Sequence, residues 1–272
     1  MIFETHAHYN DRKFDMDREM LLEALPESGI SPVINVGDSI ESTGETLALA
    51  EKYPYIYAAL GVHPSEISDL NEESFAWLMQ QTKHKKVAAI GEIGLDYYWD
   101  KEPAVQEKQR YWFKRQLALA KQAGLPVIIH SRDAAEDTMH IMEEAHENGI
   151  TGVIHCYSYS PEMARQYVHM GYFIGVGGVV TFKNAKKLVR TVEEIPLEQI
   201  VLETDCPYMA PEPHRGTRND SRNIPYVIEK IAQIKGVSPE LVEETTRKNA
   251  FRLFPKVKYC MGECSRDRRI NI

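Results

Sequence analysis

The chain lacks several features that mark other classes of protein. It has 4 cysteines among 272 residues, too few for the disulfide framework of a small secreted domain. No apolar run approaches the roughly 18 residues that suggest a membrane-spanning helix, and no low-complexity stretch interrupts the sequence. A basic surplus is also missing, because the formal net charge is −8. That charge disfavours broad electrostatic binding to duplex nucleic acid.

The two ends of the sequence set the expected domain limits. An apolar strand pattern begins at Ile2 and Phe3, with no basic-then-apolar segment of the signal type before it. We therefore expect a cytoplasmic protein with reduced thiols, no membrane contact and no obligate protein partner. Periodicity is lost after Pro255, so we expect one domain over 1–255 and an unstructured or non-native tail over 256–272. Cys260 and Cys264 in that tail could form half a zinc site, but no second pair lies nearby.

Short apolar runs, bounded by Gly, Pro or charged residues, recur about eight times and predict buried parallel strands. The predicted strands are 2–5, 32–36, 57–62, 87–90, 126–129, 152–154, 172–176 and 200–202. Helical patterns lie between them, for example at 17–25, 41–52, 104–123, 133–147, 161–170 and 224–235. This alternation predicts an α/β protein with a single-domain (β/α)8 TIM barrel, which needs about 250 residues. An open doubly wound sheet is the alternative, but it usually binds its ligand at one switch point.

Six residues that commonly bind metal each follow the apolar part of a predicted strand. They are His6, His8, Glu92, His130, His155 and Asp205. His6 and His8 are two apart on one strand and therefore point to the same face. Because the C-terminal ends of all barrel strands surround one mouth, we expect the six side chains to converge. The set exceeds what one catalytic zinc uses, so we expect two divalent ions bridged by Glu92, with zinc, manganese or magnesium as candidates.

The alternation of strand faces also predicts the roles of neighbouring residues. Glu203 shares the face of Asp205, so we expect it to support a metal ligand or a histidine. Cys156 and Cys206 each follow a predicted ligand and are expected to face away as buried thiols. His63 is expected either to contact phosphate or a ligand, or to stabilise its own loop through Pro64.

Basic and aromatic residues near the predicted mouth favour an anionic substrate. Arg215, Arg218 and Arg222 lie in one loop after Asp205, and arginine forks suit bidentate contact with phosphate. Arg132 is a further candidate for substrate contact or for support of the site. Tyr97, Tyr98 and Trp99 could stack on bases, or they could pack over a helix.

A series of motifs carries a family resemblance. THAHYND, GVHP, GEIGLDYY, IIHSRDA, VIHCYS, LETDCPYMAP, RNIP and NAFRLF occur in this order from about Ile2 to Pro255. Together they resemble the TatD family of metal-dependent deoxyribonucleases. The resemblance implies a TIM barrel, a divalent-metal site and hydrolysis of DNA, often by trimming 3′ ends.

The resemblance also implies how the ligands are shared. One ion would be held by His6, His8, Asp205 and Glu92, and the other by Glu92, His130 and His155. Glu92 and Asp205 are the residues expected to be catalytic. Asp205 is the candidate general base, and a role as a ligand alone is an equally open interpretation.

Two other functions remain open beside a deoxyribonuclease that degrades single-stranded ends from 3′ to 5′ through a water activated at two ions. The HxH motif with later His and Asp ligands is also typical of amidohydrolases that cleave a C–N or ester bond. Many of those enzymes bridge their ions with a modified lysine on strand four, where this chain has Glu92. The third hypothesis is a barrel that binds metal without turnover, and the intact ligand set counts against it.

Overall fold

The computed structural model describes residues 1–258, so Cys260 and Cys264 lie outside the described residues. In the described part, eight parallel strands are hydrogen-bonded in chain order from β1 to β8. A parallel bridge between Ala7 and Cys206 connects the region after β8 to β1. The predicted (β/α)8 barrel is therefore confirmed. The proposed limit of the domain at residue 255 stays a prediction.

The strands and helices alternate as expected. The strands are β1 Ile2–Ala7, β2 Ile30–Val36, β3 Ile56–Leu60, β4 Val87–Asp96, β5 Val127–Arg132, β6 Gly152–Ile154, β7 Phe173–Val176 and β8 Ile200–Leu202. The helices are α1 Arg18–Ala24, α2 Ile40–Lys52, α3 Glu72–Gln81, α4 Pro103–Ala123, α5 Ala135–Glu147, α6 Pro161–His169, α7 Lys186–Glu194, α8 Ile224–Lys235 and α9 Pro239–Leu253. None of the helices in residues 1–258 combines the length and the hydropathy of a membrane-spanning segment.

Strand β4 is longer than the sequence predicts. The apolar run ends at Ile90, but the strand continues to Asp96, where it still pairs with Arg132 of β5. Ile93 and Leu95 are fully buried, so the continuation adds to the core despite the glycines in this segment. Glu92 consequently lies inside β4 rather than after its end, and the prediction that this strand stops at residue 90 is wrong.

Helix α4 fixes two of the loops at the C-terminal end of the barrel. Pro103 is suited to its first turn, and Gly124 ends it with a left-handed φ of 62°. Its buried Gln116 exchanges hydrogen bonds with the backbone N–H and carbonyl of Val62. Its buried Gln109 does the same with the backbone of Asp96. The loops after β3 and β4 are therefore held by side chains from a single helix.

The N-terminal end of the barrel is closed by apolar side chains. Phe3 of β1 contacts Phe251 and Phe254, with ring centroids 5.1 and 5.9 Å apart. Phe254 and Val257 are buried in a cluster that also contains inward-facing residues of several strands. The end of α9 and the residues that follow it therefore cover the barrel floor, while the opposite end carries the polar residues.

Candidate metal centre

The C-terminal mouth of the barrel is a cavity of about 520 Å³. Five of the six predicted ligands line it, namely His8, Glu92, His130, His155 and Asp205. The sixth, His6, is completely buried beside them, with its Nε2 3.0 Å from Nε2 of His8. The structure thus brings together side chains from β1, β4, β5 and the segments after β6 and β8.

The Glu92 carboxylate lies between two groups of imidazoles and presents a different oxygen to each. Its Oε2 is 3.3 Å from Nε2 of His6 and 3.7 Å from Nε2 of His8. Its Oε1 is 2.8 Å from Nδ1 of His130 and 3.0 Å from Nε2 of His155. One buried carboxylate therefore contacts both groups, as the bridging role predicted from the sequence requires.

The group around Oε2 has distances that suit a small cation. Asp205 Oδ1 is 3.7 Å from His6 Nε2 and 3.4 Å from His8 Nε2. Ligands about 2.1 Å from a tetrahedral zinc are separated from one another by about 3.4 Å. The measured separations among these donor atoms range from 3.0 to 3.7 Å. Nitrogen and carboxylate donors at this spacing fit a divalent ion.

The group around Oε1 includes a histidine that the expected ligand set omits. His63 Nε2 is 3.8 Å from Glu92 Oε1, and donor atoms of His63, Glu92 and His130 lie within 4.8 Å of one another. His155 contacts the same oxygen, and it also belongs to a buried group with His6 and Glu203. These donors also fit a cation, and three imidazoles surround the oxygen.

Hydrogen bonds to the second ring nitrogen orient two of these imidazoles. His8 Nδ1 is 2.9 Å from the Val36 carbonyl, so this nitrogen is the donor and Nε2 is the nitrogen that a metal would bind after displacing its proton. His130 Nε2 is 3.1 Å from Asp96 Oδ2, while Nδ1 faces Glu92. In both cases the ring presents a defined donor atom to the centre before any ion arrives.

Glu203 is located where the sequence predicts a supporting carboxylate. Its Oε1 accepts a hydrogen bond from the Cys156 backbone N–H at 2.5 Å and is 3.6 Å from Nδ1 of His155. It also fills the space that a side chain at position 175 would need, because a Cβ on Gly175 would lie 2.4 Å from Glu203 Oε2. A role of Glu203 in supporting His155 stays a prediction that this geometry favours.

The protonation of the centre reflects competition between burial and pairing. Burial raises the pKa of Glu92, but His155, His130 and His6 outweigh it and hold the pKa well below its usual value. Burial lowers the pKa of His8, but Asp205 and Glu92 outweigh it and raise the pKa to about 9. Burial also lowers the pKa of His155, but Glu92 and Glu203 outweigh it and raise the pKa well above its usual value. Protons on the imidazoles thus balance the negative charge of the carboxylates, and a bound divalent ion would displace those protons.

His63 has a different electrostatic environment. Burial and the neighbouring His130 lower its pKa to about 4, so the ring is neutral. Its Nδ1 accepts a hydrogen bond from the Ser65 backbone N–H at 3.1 Å. The proton of the neutral ring is therefore on Nε2, the nitrogen that faces Glu92 Oε1. The ring thus lies beside Glu92 and accepts a hydrogen bond within its own loop, and its contact with phosphate stays a prediction.

A buried carboxylate that the sequence did not suggest stabilises the backbone next to Asp205. Glu4 accepts hydrogen bonds from the backbone N–H groups of His6 and Thr204 and from the hydroxyls of Thr204 and Ser221. Burial raises its pKa to about 8 despite these bonds. Glu4 therefore connects β1, the turn after β8 and the loop around Ser221, close to the predicted ligand Asp205.

The prediction for Cys156 is wrong. Cys156 lines the cavity and is only partly buried, so it is not the fully buried thiol that the sequence predicts. Strand β6 ends at Ile154, and Cys156 has a φ of +43°, so the alternation of an extended strand no longer applies there. Cys206, which follows Asp205, is fully buried as expected.

The four candidate arginines fall into two pairs. Arg218 forms two hydrogen bonds with the carboxylate of Asp17, and Arg222 forms two with Asp220. Neither lines the cavity, so the structure does not bring them to the centre.

The other two candidate arginines lie beside the mouth. Arg132 lines the cavity, and Arg215 lies 4.3 Å from the ring centroid of Phe182, a lining residue. These two are the arginines placed beside the mouth.

Asp96 and Asp38 are residues of the site that the sequence did not predict. Asp96 contacts His130 directly, and Asp38 lines the cavity. Asp96 follows Glu92 by four residues, so it shares the same strand face if β4 is extended beyond Ile90. The signal was present in GEIGLDYY, but the predicted end of the strand concealed it.

Comparisons with known proteins agree with this geometry. A family model described as TatD related DNase matches residues 3–255. An uncharacterized metal-dependent hydrolase, YabD of Bacillus subtilis, is 42% identical over 93% of this chain and 99% of its own length. A protein named 3'-5' ssDNA/RNA exonuclease TatD, from Cronobacter sakazakii, is 31% identical over 94% of this chain and 98% of its own. The crystal structure of the TatD homolog YjjV from Escherichia coli superimposes with a TM-score of 0.87, at 31% identity over 93% of this chain and 98% of that one.

Proposed function

The chain belongs to the TatD-related DNase family of metal-dependent hydrolases, and from that premise we propose that it hydrolyses phosphodiester bonds of single-stranded DNA from the 3′ end. The observation that carries the proposal is the Glu92 carboxylate, which presents one oxygen to His6 and the other to His130. Two cations on either side of one carboxylate suit a phosphodiester, whose attacking and leaving oxygens both need stabilisation. The name of the Cronobacter relative, which also includes RNA, supports this substrate class.

We propose that two divalent ions are the cofactors. His6, His8, Asp205 and Glu92 would hold one, and Glu92, His130 and His155 the other, with His63 close to the second. When bound, such ions would lower the pKa of an attacking water and neutralise the charge that builds on the phosphate oxygens. Zinc, manganese and magnesium are the candidates, and the imidazole donors favour the first two.

The protein's own groups would perform the remaining steps. Asp205 borders the cavity with its side chain 18% exposed, and its contacts with His6 and His8 both use Oδ1. We assign the proton of the attacking water to this carboxylate. Burial raises the pKa of Asp205, but His8 and the nearby imidazoles outweigh it and lower the pKa, so the group is ionised and able to accept. His63 Nε2–H would donate to a phosphate oxygen.

The test uses metal-free protein and single-stranded DNA labelled at either end. Magnesium, manganese and zinc are added in turn, and Asp205→Asn is compared with Asp69→Asn, which alters an exposed aspartate outside the cavity lining. We expect loss of the 3′ label and stepwise shortening of the 5′-labelled strand, both dependent on metal and absent with Asp205→Asn alone. If metal-loaded wild type cleaves no DNA, the proposal fails and a C–N or ester bond becomes the substrate to test. The cytoplasmic location is a separate prediction. Finding the active protein outside the cytoplasm would overturn that location and leave the proposed hydrolysis unaffected.

A further inference from the structure

Arg132 has an arrangement that no function described above uses. Its guanidinium carbon lies 3.9 Å from the ring centroid of Tyr98 and 5.5 Å from that of Trp99. The residue is exposed, and it forms no ion pair with any carboxylate in the described chain. The guanidinium thus lies over the Tyr98 ring, and its N–H donors have no carboxylate partner among the described residues. An arginine held in this way is preorganised for bidentate contact with an anion.

The charge of the cavity makes Arg132 distinctive. The lining includes four carboxylates, Asp11, Asp38, Glu92 and Asp205, whereas Arg132 is the one arginine or lysine among its described residues. Bound cations would balance Glu92 and Asp205, the two carboxylates in contact with the imidazoles. An anionic group next to the metal centre, but not on it, would therefore find its cationic partner in Arg132.

The position of Arg132 on β5 sets its distance from His130 along the strand. Arg132 follows the ligand His130 by two residues on the same strand, so both side chains are on the same face and about 6.6 Å apart along the strand. That separation is of the same order as one nucleotide step in an extended single strand. A phosphate at the centre and its neighbour could therefore contact both positions at once.

Asp96 holds this arrangement together. Its Oδ1 accepts hydrogen bonds from the backbone N–H groups of Tyr98 and Trp99, at 3.0 and 3.1 Å. Its Oδ2 contacts His130 Nε2 at 3.1 Å. One carboxylate therefore fixes both the ligand histidine and the turn whose aromatic rings support Arg132.

We propose that Arg132 binds the phosphate adjacent to the one that is hydrolysed, so that the protein selects chains with at least two successive phosphates over simple phosphodiesters. The proposal rests on the proposed function, because it names the second contact of the same substrate. For release of a 3′ nucleotide, the adjacent phosphate is the one on the 5′ side of the scissile bond.

A cycle analogous to a double-mutant cycle tests this contact, with one change made in the protein and the other in the substrate. The first substrate is a deoxythymidine trinucleotide with two phosphates. The second is the same trinucleotide with a neutral methylphosphonate in place of the phosphate on the 5′ side of the scissile bond. Each is given to manganese-loaded wild type, Arg132→Gln and Arg190→Gln, and kcat/KM is measured for loss of the 3′ nucleotide. Arg190 is the matched control, because it is an exposed arginine on α7 outside the cavity lining.

We expect wild type and Arg190→Gln to lose about 10- to 100-fold in kcat/KM on the methylphosphonate, the range for a hydrogen bond to a charged group. Arg132→Gln should lose a similar factor on the natural trinucleotide and little more on the methylphosphonate. Equal discrimination by Arg132→Gln and wild type would overturn the assignment.

Failure of the proposed function would be recognised separately. If wild type cleaves neither trinucleotide, the nuclease proposal is wrong, and the same cycle is measured by equilibrium binding of fluorescent trinucleotides to the manganese-loaded proteins. In that case, additive effects of the two changes, or no binding at all, would overturn the role of Arg132.

Discussion

The two ends of this barrel use buried side chains in opposite ways. At the N-terminal end, Phe3 packs against Phe251 and Phe254 in a buried apolar cluster. At the C-terminal end, the fully buried His6 contacts Glu92, and both carry pKa shifts in which burial and pairing compete. Apolar burial stabilises the fold, whereas buried ionisable groups are costly unless they are paired. The difference indicates that the C-terminal end is maintained for chemistry, at a cost that the rest of the barrel offsets.

The strongest test of this contrast removes the shared carboxylate. Glu92→Gln keeps the volume but removes the charge on both oxygens, so we expect metal binding to fall and turnover to drop by about 1,000-fold or more. That loss should exceed the roughly 10- to 100-fold effect of a residue that only supports a ligand. Mass spectrometry of bound metal and the rate of DNA cleavage measure it, with Glu107→Gln on the exposed face of α4 as control. Full metal content with normal turnover would disprove the bridging role.

The complementary change is made at the opposite end. Phe254 is fully buried, so Phe254→Ala should lower the free energy of unfolding by about 3 to 5 kcal/mol. Urea unfolding of the metal-free protein measures this, and Phe254→Leu should lose less because it leaves a smaller cavity. We expect the folded fraction of Phe254→Ala to bind metal with wild-type affinity. A parallel loss of metal affinity would mean that the two ends are not independent.

A smaller effect on metal binding is expected from a change at Asp96, which contacts His130 on the side of the ring away from Glu92. Asp96→Asn keeps the shape and should weaken binding of the ion beside His130 by about 10- to 100-fold, the usual effect of a residue behind a metal ligand. Competition with a chelator measures the affinity of each ion. The ion beside His130 should be weakened more than the ion beside His6 and His8. Equal weakening of both would contradict the separate roles of the two imidazole groups.

The smallest effect concerns Arg218, which binds Asp17 instead of the centre. Arg218 lowers the pKa of Asp17, so the folded state favours the ionised carboxylate, and the pair stabilises the fold above the ordinary aspartate pKa. That stability is lost as pH falls through the lowered pKa of the folded state. Both side chains are about 30% exposed, so Arg218→Lys should cost no more than about 1 kcal/mol at pH 7. Urea unfolding at pH 7 and pH 3 measures the loss, which should shrink at pH 3. An undiminished loss there would show that the pair does not cause it.

The sequence predicts which side chains converge, because the ends of all barrel strands meet at one mouth, and their role as metal ligands stays a prediction. His6 and His8 share a face because side chains alternate along a strand, and their Nε2 atoms are indeed adjacent. The same rule fails at Cys156, because its positive φ ends the alternation. It also missed Asp96, since the apolar run stops before β4 does.

Partners that are distant in sequence were not predictable. The distance along the chain between Arg218 and Asp17 hides their ion pair, so Arg218 was expected at the phosphate instead. Glu4 likewise gives no local sign that it hydrogen-bonds to Thr204. In both cases the barrel closes the first strands against the loop after the last one, and that closure creates the contacts.

The most direct test of the account is to locate the metal. Crystals of the protein soaked with manganese, measured near the manganese absorption edge, would reveal each ion by its anomalous scattering. The account predicts two peaks, one beside each carboxylate oxygen of Glu92. A single peak, or two peaks with Glu92 bound to neither, would contradict it.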